Sequence, residues 1–117
     1  MKLIRSFGYA WQGVAYCFKT QLNFKIHLLA TVIVITAGIA FSVSSTEWLF
    51  IAGCCSSVIM AEMFNTAIEK ICDTVSPEIN PVIKIIKDVS AGAVLVSAAG
   101  SLVIAGIIFL PKIFNLL

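Results

Sequence analysis

From Val89 to Pro111 the chain reads VSAGAVLVSAAGSLVIAGIIFLP, 23 residues without a charge. A helix rises about 1.5 Å per residue, so this stretch is long enough to cross a hydrocarbon core of roughly 30 Å. Working backwards, Ile26 to Thr46 is a second such stretch, 21 residues with His27 as its one ionisable group near neutral pH. Between them, Trp48 to Cys72 is mostly apolar but carries Glu62, Glu69 and Lys70. Three spans are therefore expected, at about residues 26–46, 48–72 and 88–110 of one membrane domain covering 1–117. The composition of the whole chain agrees. Of 117 residues, 60% are hydrophobic and 12% charged, and the mean hydropathy is +1.03. Small soluble domains bury the smallest share of their surface and cannot hide so much apolar area. A soluble enzyme, a disordered chain and a nucleic-acid-binding module are excluded, and nucleic acid is not an expected partner. The formal net charge of +2 names no polyanionic partner by itself.

The positions of the positive charges set the topology. Lys2, Arg5, Lys19 and Lys25 precede the first span, and Lys70, Lys84 and Lys87 surround the connection between the second and third. The turn around Ser44 to Glu47 has no Lys or Arg, and the tail has only Lys112. Seven against one places the N-terminus and the second connection in the cytoplasm, with Trp48 at the opposite interface. The first 25 residues, with a surface helix expected over about 1–24, lack the apolar core and small-residue cleavage site of a signal peptide. At 100° per residue, Leu3, Ile4, Phe7, Trp11, Val14, Ala15, Phe18 and Leu22 fall on one arc. Lys2, Arg5, Tyr9, Gln12, Tyr16 and Lys19 fall on the other. That pattern predicts a basic amphipathic helix lying on the cytoplasmic membrane surface.

The last two helices are separated by Ser76-Pro77-Glu78-Ile79-Asn80-Pro81, where Asn80 can cap a helix that Pro81 begins. Along that helix Ala93, Ser97, Ser101 and Ala105 recur every four residues, a strip that invites close helix approach or oligomerisation. The fold expected is all-α.

The second span carries the chemistry. Glu62, Asn65, Glu69 and Asp73 lie within about 80° of one helix face, stepping from inside the bilayer toward the cytoplasm. A carboxylate at mid-bilayer depth costs about 2.5–3.5 kcal/mol, so it requires a partner, a metal or a wet cleft. A hydrogen-bonded packing cluster is one outcome. A site for Mg²⁺, which takes one or two carboxylates and leaves the rest to water and phosphate, is the other. Lys87 and Asp88 open the final helix with Lys84 on the same face, and a Lys there can hold a phosphate. No Walker-type loop, HExxH or CxxC is present. His27 reads as an interfacial or hydrogen-bonded residue, and Cys17, Cys54, Cys55 and Cys72 as small apolar fillers.

The run Glu62-x-x-Asn65-Thr66-Ala67-Ile68-Glu69-x-x-Cys72-Asp73, with Lys87-Asp88-x-x-Ala91-x-Ala93-Val94-Leu95 after it, resembles the signature of the prokaryotic diacylglycerol kinase family, which includes the undecaprenol kinases. The resemblance extends to Gly8-Tyr9-Ala10-Trp11-x-Gly13, Asn23-Phe24-Lys25-Ile26-His27 and Glu47-Trp48. It implies an ATP-dependent kinase of a membrane lipid alcohol in the bacterial inner membrane. It also implies a homotrimer whose sites are shared between neighbouring chains. Carried over by position, Glu62 is the implied base for the lipid hydroxyl and Glu69 a Mg²⁺ ligand. Asn65, Asp73, Lys87 and Asp88 are implied nucleotide and phosphate contacts, with Lys2 and Arg5 as further phosphate partners. A second metal-binding Glu late in the family's surface helix is matched here by Gln21, which can ligate a hard cation but brings no charge. The Asn-Phe-Lys-Ile-His and Asn-Thr-Ala-Ile-Glu forms are more similar to undecaprenol-type members. An alternative from the residues alone is a small ion or proton conductor with an acidic helix face. It accounts for Glu62 and Glu69 but gives no reason for Asn65 or for Lys87-Asp88.

Overall fold

The computed structural model describes residues 1–78 and 80–117. Among the described residues the chain forms four helices: α1 (Lys2–Thr20), α2 (Leu22–Ala40), α3 (Ser45–Val75) and α4 (Pro81–Phe114). The last three are long and apolar enough to cross a membrane.

Local chemistry explains each boundary. The chain breaks at Gln21, whose backbone is extended (φ −114°, ψ 111°) while its N–H still donates to the Cys17 carbonyl. The first span therefore starts at Leu22, four residues before the charge-free stretch does, because Phe24 is fully buried and draws the Asn23–Lys25 segment into the helix. At its far end α2 stops at Ala40. Ser42 takes a left-handed φ of 52°, a conformation unusual for a residue with a Cβ. Ser44 then caps α3 reciprocally with Glu47: each side chain bonds the other's backbone N–H, at 3.2 and 2.9 Å. This capping box starts α3 at Ser45, upstream of Trp48. Asn80 caps α4 as its position predicts, accepting from the N–H groups of Val82 and Ile83. Ile79, in the same turn, lies outside the described residues. Helix α4 continues through Pro111 to Phe114, a turn past the expected end near Leu110. Lys112 on that last turn pairs with Glu47 at 2.7 Å and ties the end of α4 to the start of α3.

Helix α3 is the centre of the fold. It packs against both α2 and α4, while α2 and α4 make no backbone contact with each other. At the Glu47 end, Val43, Ile51 and Ile108 form a core flanked by Phe41 and Phe109, whose rings meet edge to face at 6.0 Å. Trp48 folds onto α2. A Cβ on Gly38 would come within 2.6 Å of the indole, so only glycine admits the ring there. Most large apolar side chains elsewhere point outward, among them Leu29, Ile33, Leu102 and Ile107. In a water-soluble fold that arrangement is untenable; in a bilayer it is the lipid-facing surface. Helix α3 has 31 residues, about 46 Å of rise, and so exceeds a hydrocarbon core of roughly 30 Å. The surplus carries Glu69 and Asp73, while Glu62 falls within the length of the core. Helix α1 keeps Leu3, Ile4, Phe7 and Trp11 uncovered on its apolar arc and touches α2 and α3 but not α4.

Candidate functional site

Glu62, Asn65, Glu69 and Asp73 of α3 form a ladder graded by burial. Glu62 is 2% exposed and Asn65 8%, Glu69 is half-buried, and Asp73 is exposed. The ladder is built by helix geometry, and its rungs are engaged in different ways. The Glu62 carboxylate faces the His27 imidazole of α2, with Nε2 to Oε2 at 3.7 Å. The Asn65 side-chain N–H donates to Glu69 Oε1 at 3.3 Å, while its Oδ1 is buried without a partner. Thr66 donates its hydroxyl back to the Glu62 carbonyl at 2.9 Å and leaves the carboxylate alone. Asp73 forms an ion pair with Lys87 of α4, which joins the lower end of the ladder to the second helix. One turn along, Lys84 pairs with Asp88 at 2.6 Å within α4. Lys87 and Asp88 are therefore not idle charges. Both are held by exposed counter-ions, and exposed pairs contribute little net stability and yield to a better ligand.

The structure thus gathers Glu62, Asn65, Glu69 and Asp73 on one face, with Lys87 against them. It does not bring Lys2 and Arg5 to this group within one chain. Helix α1 meets α3 near its other end, where the Tyr16 ring lies 5.9 Å from the Lys70 ammonium. Lys2 is fourteen residues further back along α1, about 21 Å of helical rise. Gln21 is the joint between α1 and α2, half-buried, its amide donating to Thr20 Oγ1 at 3.3 Å. That joint role was not visible in the sequence.

Two hollows lie nearby, one reached through His27 and one lined by Asn65. A cavity of about 270 Å³ lies in the fork between α2 and α4, lined by His27, Val34, Ile51, Cys55, Ser101 and Ile108 among others. A second, of about 530 Å³, lies between α3 and α4 and is lined by Phe64, Asn65, Ile86 and Ser90 among others. The small-residue strip divides between them: Ser101 and Ala105 line the first, Ala93 the second. Among the described residues no three His, Cys, Asp or Glu side chains gather closely enough to hold a metal by themselves. Asn65 Oδ1, buried without a partner, and the Glu69 carboxylate one turn along are two hard oxygen donors on one helix face. That suits Mg²⁺, which takes few protein ligands and completes its shell with phosphate and water.

A family model described as prokaryotic diacylglycerol kinase matches residues 8–109, which include the ladder, His27 and the Lys87-Asp88 pair. The chain belongs to this family. A diacylglycerol kinase of Synechocystis is 39% identical over 116 residues, covering 98% of this chain and 66% of that protein. An undecaprenol kinase of Bacillus subtilis is 35% identical over 112 residues, 96% of this chain and 91% of that one. A diacylglycerol kinase of Pseudomonas aeruginosa is 28% identical over 96 residues, 82% and 78% of the two chains. The chain spans just under two thirds of the Synechocystis protein and most of the other two. Membership makes this a multi-pass membrane protein of a lipid-kinase family, and the conductor alternative is not favoured.

Proposed function

We propose that the chain transfers the γ-phosphoryl group of ATP to the hydroxyl of a membrane lipid alcohol, undecaprenol or a diacylglycerol. The reaction would take place at the cytoplasmic face of the bacterial inner membrane, with the N-terminus inside. The observation that carries the proposal is the graded ladder on α3, buried at Glu62 and wet at Asp73, with a cation on α4 at its wet end. The two substrates have opposite solvation. ATP is a cytoplasmic polyanion, and the acceptor hydroxyl sits on a lipid. A site that grades from apolar to aqueous along one helix face can hold both.

Each rung has a role in this reading. Glu62, the deepest, accepts the proton of the attacking hydroxyl. Glu69 and Asn65 would hold Mg²⁺ with the nucleotide, with Gln21 as a further oxygen donor. When bound, the ion offsets charge on the β- and γ-phosphates. Lys87 exchanges Asp73 for phosphate oxygens, and Asp88 with Lys84 borders the entry. Lys2 and Arg5 lie too far along α1 to serve the same chain's ladder, so they contribute phosphate contacts to a neighbouring copy. That assignment accords with a homotrimer in which the surface helices lie between subunits.

The test is transfer of label from radiolabelled ATP, in detergent with Mg²⁺, to a panel holding undecaprenol and a diacylglycerol. Label in the organic phase is expected, and the labelled member identifies the acceptor. Label confined to the aqueous phase with every acceptor would overturn the proposal.

A further inference from the structure

We infer that His27 is a positioning residue for Glu62, holding the buried carboxylate in its working orientation from across the α2–α3 interface. The inference rests on Glu62 being the base proposed above.

A carboxylate at this depth needs a partner. The polar neighbours on its own helix are committed elsewhere: Thr66 to the Glu62 carbonyl, and the Asn65 amide to Glu69. Among the described residues, His27 is the one basic group within 4.0 Å of the Glu62 carboxylate. At 3.7 Å the contact is an electrostatic one, slightly longer than a hydrogen bond. A shift of under about 1 Å closes it to hydrogen-bond range, as such contacts do when a substrate arrives.

The backbone that carries the imidazole is held firmly. Phe24, one turn earlier, is fully buried, and Thr31, one turn later, donates its hydroxyl to the His27 carbonyl at 2.9 Å. The His27 side chain is 22% exposed, enough to be reached. It also lines the cavity of about 270 Å³ in the α2–α4 fork, whose remaining walls are nearly all apolar. The imidazole therefore borders both the carboxylate and this largely apolar space. A group in that place fixes which carboxylate oxygen is free to meet an incoming hydroxyl. The same cavity is larger than a molecule of imidazole, which makes the role testable by chemical rescue.

The experiment uses the full-length chain in detergent micelles, with undecaprenol and dioctanoylglycerol as acceptors. His27→Leu, His27→Gln, His27→Ala and Glu62→Gln are each purified and compared with the parent by thermal unfolding. His27→Leu is expected to lower kcat by about tenfold to a hundredfold, the range that misplacing a reacting group produces. The KM values for ATP and lipid should stay within about threefold of the parent, because neither substrate is bound by the imidazole in this reading. His27→Gln keeps an N–H donor and should recover most of the loss. Added imidazole should raise the rate of His27→Ala and leave the parent unchanged. Parental kcat in His27→Leu, with Glu62→Gln inactive, overturns the positioning role and leaves the base standing. So does an equal loss in Leu and Gln variants with no imidazole rescue, which marks a packing residue. Full turnover by Glu62→Gln removes the base itself, and the role of His27 with it.

Discussion

The two ends of α3 are held in opposite ways. Toward Glu47, the helix is locked by fitted surfaces: a reciprocal cap, an indole laid on a glycine, an edge-to-face pair of aromatic rings and a half-buried ion pair. Toward Asp73, it is tied to α4 by one exposed, exchangeable ion pair, with one buried amide oxygen left unmatched. Packed interiors are intolerant of small changes in shape, whereas exposed ion pairs are cheap to rearrange. One helix thus joins a rigid anchor to a receptive end, and substitutions at the two ends should fail in different assays.

The largest effect is expected at the receptive end. Glu62→Gln preserves shape and removes the proton acceptor. Turnover should fall by about 10²–10⁴-fold while ATP binding, read by a fluorescent analogue, persists. If ATP binding is lost as well, the two halves of the ladder are not separable and the contrast weakens. At the anchored end the largest effect belongs to Gly38→Val. Its side chain enters the space of the Trp48 ring, and overpacking of this kind costs about 1–3 kcal/mol. Thermal unfolding in detergent should shift downward clearly, and the remaining folded protein should keep its KM for ATP. Glu69→Gln lies between these two in size. It should raise the Mg²⁺ concentration for half-maximal activity at least roughly tenfold, with little change in thermal midpoint. A titration of Mg²⁺ at fixed ATP reads this directly, and an unchanged requirement would move the metal away from Glu69.

Much of this contrast was legible in the sequence, and the residues show why. Charge-free length is sufficient to find a membrane span, so the three long helices were visible. The i, i+3, i+7, i+11 spacing is sufficient to align Glu62, Asn65, Glu69 and Asp73. Pairings between helices were not legible. His27 and Glu62 each lie in an apolar stretch, 14 residues before Phe41 and 18 after Ser44, or roughly 21 and 27 Å from the turn. Depths within about one turn of each other made the pair possible, but only the tilt and rotation of each helix decide whether the two groups face each other. Periodicity alone does not supply that rotation. The Lys112–Glu47 pair was hidden for a different reason: Pro111 reads as a helix end, yet α4 runs through it. Asp73–Lys87 was not legible because the two lie on different helices and each residue reads equally well as a nucleotide contact.

The smallest expected effect sharpens the comparison most. Lys112→Met removes the charge that ties α4 to the cap of α3 while keeping a long apolar stem. Lys112 and Glu47 are each 26% exposed, so the pair is partly screened and its loss is shared with water. Glu47 also retains its bond to the Ser44 N–H, so the cap survives. The thermal midpoint should drop by a few degrees at most, and kcat and KM should stay at the parental values. Asp73→Asn breaks an ion pair of the same kind at the other end. It should leave the midpoint nearly unchanged and alter the KM for ATP, because it frees Lys87. Equal behaviour of the two variants in both assays would mean that α3 has no anchored and receptive ends, only two surfaces bearing charge.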